Sequence, residues 1–219
     1  MESYVRKIGR VSAPILVHLG ISFLVVFVGT VICMQQNLEG PDAVLMTVLS
    51  AVVSAPFLWK MWKRDRLMTP GAVERVKRPF WFYLLAFCSG ILASCLGSLL
   101  MQASGAAAQF SNEVQEELFA GNVWVQLIGM GLITPSVEEL IFRGLFYQRL
   151  REWIPRGYAV FLTALIFALW HQNPIQALYA FPMGLLLQFF YEKCGSLKAP
   201  VLFHMGANLI SILVEIRLS

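Results

Sequence analysis

Three charged side chains stand inside one of the longest apolar stretches of this 219-residue sequence. Glu138, Glu139 and Arg143 lie between residues 123 and 146, where almost every other residue is aliphatic, aromatic or glycine. An ionisable group near the centre of a bilayer costs on the order of 2.5–3.5 kcal/mol, so these side chains require partners. The i, i+4 spacing of Glu139 and Arg143 predicts an ion pair on one helix face. Glu138 lies about 100° away round the helix and is left for another partner.

Two further polar patterns follow in the last third of the chain, again within apolar segments. They are Phe167-x-x-x-His171 and His204-x-x-x-Asn208. The spacing places His204 and Asn208 on one helix face and puts Phe167 beneath His171 as an apolar wall. Unpaired polar groups cost several kcal/mol in lipid, so a single shared site is the economical arrangement. Such a site also admits water.

The residues just before the glutamates predict an interruption of the helix. Pro135 lacks a backbone N–H, and Ser136 precedes Glu139 by three residues, as in a capping box. This pattern predicts that the helix breaks here and directs a new N-terminus into the protein. His18, in the first apolar segment, belongs to no pattern and is interpreted as a structural residue.

The composition indicates a membrane protein. The chain is 58% hydrophobic, and its mean hydropathy of +0.66 is too high for a soluble domain. The predicted fold class is therefore all-α, a polytopic transmembrane helix bundle. The net charge of +4 comes from basic residues in short loops, where the positive-inside rule explains them, so nucleic-acid binding is not expected. The cysteines form no CxxC pair, so neither a disulfide framework nor a zinc knuckle is indicated; they are Cys33, Cys88, Cys95 and Cys194.

The hydropathy pattern predicts about seven spans, with the N-terminus inside and the C-terminus outside. The fifth and sixth are short, and a hairpin that does not fully cross is the alternative. The basic loop 63–78 is placed in the cytoplasm, and the acidic segment 104–122, with a short amphipathic helix starting at Ser111, is placed outside. Its carboxylates are Glu113, Glu116 and Glu117. The predicted spans are 14–34, 43–62, 79–101, 123–150, 158–170, 174–191 and 199–216.

The first span is expected to remain uncleaved, because its apolar run exceeds an ordinary signal peptide core and no small-residue cleavage site follows. The third span is rich in Gly, Ala and Ser, which favours close helix packing. Residues 1–122 are interpreted as N-terminal membrane helices with the outer surface segment. Residues 123–219 are interpreted as the part of the same membrane domain that carries the site.

The polar patterns resemble the CAAX protease and bacteriocin-processing family, which includes type 2 CAAX prenyl endopeptidases and Abi-type bacterial membrane proteins. The resemblance covers residues 123–213. Besides the polar patterns, it includes Pro135, the string Glu-Glu-Leu-Ile-Phe-Arg-Gly at 138–144, and two short strings before His204, Gly-Ser-Leu at 195–197 and Ala-Pro at 199–200. It implies an intramembrane endopeptidase in which Glu138 and His171 activate water. His204 and Asn208 would stabilise the oxyanion. Glu139 and Arg143 would be supporting residues.

That assignment agrees with general chemistry. A buried carboxylate is a competent general base, and an imidazole–amide pair offers donors to a tetrahedral intermediate. Zinc is the alternative, with ligands drawn from a set of two carboxylates and two imidazoles. The His-Glu-x-x-His helix of common zinc proteases is missing, and a guanidinium beside the set opposes a dication, so no cofactor is expected. The alternative ligands are Glu138, Glu139, His171 and His204.

The resulting hypothesis is hydrolysis of a peptide bond in a membrane-proximal peptide or protein. A prenylated C-terminus, a leader peptide, a bacteriocin and a signalling peptide are all open as substrates. The expected location is the plasma membrane, and the expected partners are the substrate and the lipid bilayer. The alternatives are a proton- or ion-coupled transporter that uses the same carboxylates, and a scaffold for other membrane proteins without proteolytic activity.

Overall fold

The computed structural model describes residues 2–68, 74–103 and 121–218. Within these ranges the regular structure is helical, with no strand, which confirms the all-α class. We number the helices α1 to α7 in chain order and treat Val125–Leu150 as one continuous helix. They are α1 Glu2–Gln35, α2 Ala43–Met68, α3 Phe80–Ala103, α4 Val125–Leu150, α5 Arg156–Trp170, α6 Pro174–Cys194 and α7 Lys198–Leu218.

Judged by helix length and composition, the described residues contain fewer candidate membrane spans than the sequence pattern predicts. Among the described residues, 5 helices are long and apolar enough to cross a membrane, namely α1, α2, α3, α4 and α7. At about 1.5 Å per residue, the 15 residues of α5 span roughly 22 Å, less than the hydrocarbon thickness of about 30 Å. The count of seven spans is not confirmed. Helix α6 has 21 residues but is not among the five candidate spans.

Helix α4 is irregular around the charged residues. It consists of a π-helical segment Val125–Ile133, an α-helical segment Thr134–Glu139 and a second π-helical segment Leu140–Tyr147. The predicted capping box does not form, because the hydroxyl of Ser136 donates backwards to the Leu132 carbonyl at 2.7 Å. The α-helical segment does begin at Thr134, with Pro135 in its first turn, but no free N-terminus results. The helix nevertheless continues from Val125 to Leu150.

The basic turns lie together at one end of the bundle. Arg10 of α1 pairs with Glu152, which lies between α4 and α5, and Arg78 donates to the Lys193 carbonyl at the end of α6. The Nε of Arg149 on α4 pairs with Oδ2 of Asp65 on α2 at 2.6 Å. These contacts place the predicted cytoplasmic residues at one common end. The predicted outer helix at Ser111, the three glutamates beyond it and the loop residues 69–73 lie outside the described residues.

Helix α2 extends further than its predicted span. It continues to Met68 rather than ending near Trp62, so residues 63–68 of the predicted loop are helical. Two contacts hold the extra turns: the Arg66 guanidinium lies 4.6 Å from the ring of Trp62, and Asp65 pairs with Arg149. The extension of α2 therefore places the carboxylate of Asp65 beside Arg149, near the C-terminal end of α4.

Helices α3 and α7 approach each other closely through small residues. A Cβ added at Gly90 would lie 1.9 Å from the Phe203 carbonyl oxygen, and one added at Gly206 would lie 2.4 Å from the Phe87 carbonyl oxygen. The hydroxyls of Ser94 and Ser211 are 2.8 Å apart across the same interface. This contact holds α7 in register against the bundle.

Candidate functional site

The centre of the site is a buried ion pair on α4. The Nη1 of Arg143 donates to Oε1 of Glu139 at 2.9 Å, and both side chains are fully buried (0% exposed). The Nη2 of Arg143 donates to the Gly184 carbonyl of α6 at 3.0 Å. The predicted i, i+4 pair is confirmed. Arg143 also uses a backbone carbonyl, so this guanidinium ties α4 to α6.

His204 joins the pair from α7. Its Nδ1 lies 2.9 Å from Oε1 of Glu139, and its Nε2 lies 3.7 Å from Oε2 of Glu138. Since an ionised carboxylate only accepts hydrogen bonds, the proton of this contact belongs to Nδ1. The imidazole therefore stands between two carboxylates. The side chain of Glu138 is 14% exposed, whereas Glu139 is sealed off.

One aromatic ring connects the cluster to α5. The ring of Phe167 lies 5.6 Å from the ring of His204 and 5.2 Å from the ring of His171. The guanidinium of Arg143 lies 4.6 Å from the same ring, within cation–π range. The expectation that Phe167 forms an apolar wall under His171 is confirmed. Both imidazoles therefore pack against the ring of Phe167. Among the described residues, no hydrogen bond joins His171 to His204.

His171 stands at the turn between α5 and α6. Its Nδ1 donates to the Phe167 carbonyl at 3.0 Å, which leaves Nε2 unprotonated in the neutral imidazole. Gln172 takes the left-handed conformation with φ 54°, and Oδ1 of Asn173 accepts from the Gln176 N–H at 3.0 Å. The predicted start of the helix at Pro174 is confirmed. The turn thus presents a basic nitrogen at the tip of the hairpin.

Asn208 lies one turn after His204 and bonds to the backbone of α4. Its Nδ2 donates to the Met130 carbonyl at 3.0 Å. In the π-helical register, this carbonyl would accept from residue 135, as the Gly129 carbonyl accepts from the Thr134 N–H. Pro135 has no N–H to give. Asn208 therefore satisfies the carbonyl that Pro135 leaves free.

His18 lies outside the predicted site but touches its support. Its Nδ1 lies 2.7 Å from the Ser54 hydroxyl of α2, and its ring centroid lies 5.4 Å from that of Trp170. Trp170 immediately precedes His171 and packs against Phe142 at 5.8 Å. Helices α1 and α2 therefore support the end of α5. The sequence gives no signal for this contact beyond a histidine in an apolar segment.

In the part of the chain that the structure describes, the candidate ligands are not arranged around one zinc position. A catalytic zinc takes three protein ligands and an open position. The Oε1 of Glu139 already receives two donors, from Arg143 and His204. Across residues 2–68, 74–103 and 121–218, no group of three or more His, Cys, Asp or Glu side chains is placed to hold a metal ion. The alternative ligand set of Glu138, Glu139, His171 and His204 is therefore not assembled.

Sequence reasoning missed two backbone groups that hold the site. The Gly184 carbonyl has no local signal, because its role depends on how α6 packs against α4. The Met130 carbonyl does have one, since a proline frees an acceptor earlier in the same helix. Of the predicted side chains, the structure brings together Glu138, Glu139, Arg143 and His204. His171 joins them through Phe167, and Asn208 sits one turn away.

An integral membrane protein with a carboxylate–guanidinium–imidazole cluster buried among its helices is the class that this fold and site define. Residues 120–210 match the family model described as Type II CAAX prenyl endopeptidase Rce1-like. That range contains all six candidate site residues, and the match confirms the resemblance over that part of the chain. Comparison with curated proteins and with solved structures gave no match.

Proposed function

We propose that this protein is an intramembrane endopeptidase that hydrolyses a peptide bond in a membrane-proximal peptide or protein. One observation carries the proposal: the residues that match an endopeptidase family also enclose the buried Glu139–Arg143–His204 cluster. Burying two carboxylates in an apolar helix is costly, so such groups mark functional sites in membrane proteins. The description of the family supplies the reaction class.

Glu138 is the proposed general base. It is the partly exposed carboxylate of the pair, so water reaches it, whereas the Oε1 of Glu139 is engaged by Arg143 and His204. Glu138 takes a proton from water as the water oxygen attacks the carbonyl carbon of the substrate. The electron pair of the C=O bond moves to the carbonyl oxygen to give a tetrahedral intermediate. When that pair returns to re-form the C=O bond, the C–N bond breaks and Glu138 passes the proton to the leaving amine nitrogen. His171, with Nε2 unprotonated, assists in holding the water.

His204 and Asn208 are the proposed oxyanion donors. With Nδ1–H bound to Glu139, His204 donates through Nε2 only as an imidazolium. In that state Nε2, which lies 3.7 Å from Oε2 of Glu138, can donate to an oxyanion formed beside it. Asn208 has a second amide proton besides the one given to Met130. Glu139 and Arg143 are positioning residues that fix the His204 ring.

The substrate class remains that of the family description, a membrane-associated peptide or protein. We propose prenylated C-terminal peptides and leader or signalling peptides as the candidates to test, in the plasma membrane. The partly exposed Glu138 lies mid-way along α4, so a peptide must reach the interior of the bundle from its edge. A panel of reporter peptides with and without a prenyl group distinguishes these classes.

The test is cleavage of a reporter peptide by the purified protein. The variants Glu138→Gln, His171→Ala and His204→Ala are each expected to abolish cleavage while the protein remains folded in detergent. Near-wild-type cleavage by any one variant would remove that residue from the mechanism. A matched control is Glu215→Gln near the exposed end of α7, which lies far along the helix from His204 and should leave cleavage unchanged. A wild-type protein that breaks no bond in any reporter would favour transport or scaffolding.

We further propose that the water is activated without a metal ion. The Arg143 guanidinium lies 2.9 Å from Glu139, and a dication bound to the same carboxylate would be repelled by it. Active purified enzyme is therefore expected to contain less than one equivalent of metal by elemental analysis and to keep its activity after exhaustive chelation. One equivalent of zinc, with activity lost on chelation and restored by adding zinc back, would overturn this mechanism.

A further inference from the structure

A cavity lies at the basic end of the bundle, away from the candidate active site. It is formed by the first turns of α1 and by the turn between α4 and α5, and its volume is about 130 Å³. This is about four times the roughly 30 Å³ that one water molecule occupies in the liquid. It therefore has room for one small polar head group. Its lining residues are Lys7, Arg10, Val11, Arg149, Glu152 and Trp153.

The charges around the cavity are predominantly positive. Three cations line it against one carboxylate, that of Glu152, which Arg10 binds through both Nη atoms at 2.5 and 3.0 Å. No carboxylate among the described side chains forms an ion pair with Lys7. The Nη2 of Arg149 is buried and has no hydrogen-bond partner within the described ranges. Glu152 pairs with Arg10, and Asp65 pairs with Arg149. The cluster therefore keeps one net positive charge, that of Lys7, which attracts an anion.

The cavity lies at the end of the predicted first span, next to exposed apolar residues of α1. Leu16 is 59% exposed and Leu19 is 41% exposed, on the span side of Lys7 and Arg10. The ammonium of Lys7 lies 5.9 Å from the ring of Trp153, and a tryptophan beside a cation is typical of the head-group level of a bilayer. An anion held here has apolar protein surface next to it, along which acyl chains can lie.

We propose that this cavity binds the phosphate of an anionic phospholipid in the cytoplasmic leaflet. Lys7 and Arg10 would donate to the phosphate oxygens, Trp153 would cover the glycerol region, and the acyl chains would lie along the exposed face of α1. Arg149 holds the floor of the cavity, because its Nη1 donates to the Arg10 carbonyl at 2.5 Å. A bound lipid would thereby link α1 to the end of α4. The proposal does not depend on the proteolytic activity.

The test is lipid binding to the purified full-length protein, measured by native mass spectrometry in detergent. The probes are dioleoyl phosphatidylglycerol and dioleoyl phosphatidylcholine, which share acyl chains and differ in net charge. The wild-type protein is expected to retain phosphatidylglycerol preferentially. Lys7→Gln should weaken that binding about fivefold, the factor expected for one cation near an anionic membrane surface.

Arg6→Gln is the matched control. It removes the same charge from the same exposed helix, yet Arg6 does not line the cavity. It is expected to bind phosphatidylglycerol like the wild type, and Trp153→Leu to bind it more weakly. Equal losses for Lys7→Gln and Arg6→Gln would show a diffuse surface effect and overturn the site. Equal retention of both lipids would overturn it as well. Binding of inorganic phosphate by the wild-type protein without retention of phosphatidylglycerol would overturn a phospholipid as the occupant.

Discussion

At the scale of single residues, the two adjacent glutamates differ in what surrounds them. Glu139 receives both Arg143 and His204 on one oxygen, so its position is fixed by groups from two helices. Glu138 keeps a partly exposed carboxylate 3.7 Å from His204. One residue of rotation along the helix separates a fully buried carboxylate from a partly exposed one. This difference is the basis for proposing Glu139 as a positioning residue and Glu138 as the general base.

Asn208 has a structural and a proposed catalytic role, and a double variant separates them. Asn208→Ala orphans the Met130 carbonyl, which should cost about 1–3 kcal/mol of stability, and it removes an oxyanion donor, which typically costs about 10²–10³ in rate. Pro135→Ala restores the backbone N–H that this carbonyl lacks. The double variant Pro135→Ala with Asn208→Ala is expected to regain stability without regaining rate. Melting temperature in detergent and reporter cleavage measure the two effects.

One result for the double variant would contradict the catalytic role of Asn208. If the double variant recovers both stability and cleavage, Asn208 acts only by holding α4 and is not an oxyanion donor. Pro135→Ala alone is the control for the change in helix geometry. It should keep most of the activity, since the Asn208 side chain is intact in it.

The sequence predicts some of these residue contacts and not others, for a physical reason. The pairing of Glu139 with Arg143 follows from helical spacing, because both residues lie on one helix. The contact between His204 and the glutamates depends on how α7 docks against α4, and spacing within a helix carries no information about that. The same applies to the Gly184 carbonyl. The cost of unpaired polar groups in lipid predicts one shared site, but only the packed structure shows which atoms meet in it.

At the scale of helices, two prolines act in the same way. Pro14 lies within α1 and removes the N–H that would bond to the Arg10 carbonyl, and Arg149 donates to that carbonyl instead. Pro135 frees the Met130 carbonyl, and Asn208 donates to it. In each case a side chain from another part of the chain replaces the missing backbone donor. A proline in a membrane helix therefore creates an acceptor that a neighbouring helix can use.

The close contact between α3 and α7 gives a prediction for Gly90. Its substitution by alanine places a Cβ 1.9 Å from the Phe203 carbonyl oxygen, so the two helices must separate. Overpacking of this kind typically costs about 1–3 kcal/mol. Phe203 precedes His204, so the shift also moves the imidazole away from Glu139. Gly90→Ala is expected to lower both the melting temperature in detergent and the rate of reporter cleavage.

Gly20→Ala on α1 is the matched control, because a Cβ there meets nothing within 4 Å. Alanine is favoured over glycine in a helix interior by about 1 kcal/mol, so this variant should be neutral or slightly stabilising. A Gly90→Ala protein as stable and active as Gly20→Ala would show that the α3–α7 contact does not fix the position of His204.

At the scale of the whole molecule, the number of spans is where the sequence pattern and the structure diverge. Hydropathy marks α5 and α6 as apolar, but it does not reveal that α5, with 15 residues, is shorter than a span and ends at the turn that carries His171. Non-helical backbone in a membrane protein is tolerated where protein covers it or where it lines a water-filled cavity. The helices that form the scaffold are predictable from hydropathy, and the element that departs from a simple span carries a site residue.

Orientation is the last prediction, and it follows from the clustering of charge. The turn between α4 and α5 pairs with the basic N-terminal turns of α1, and the positive-inside rule places this end in the cytoplasm. The turn after α1 then lies outside. In a background without the four native cysteines, an impermeant thiol reagent should label Glu39→Cys on intact cells and leave Gly157→Cys unlabelled. Both positions are exposed, and a Cβ at Gly157 meets nothing within 4 Å, so neither variant should disturb the fold. Gly157→Cys should become reactive after the membrane is permeabilised. The opposite pattern would place the basic end outside and move the proposed lipid site to the other leaflet.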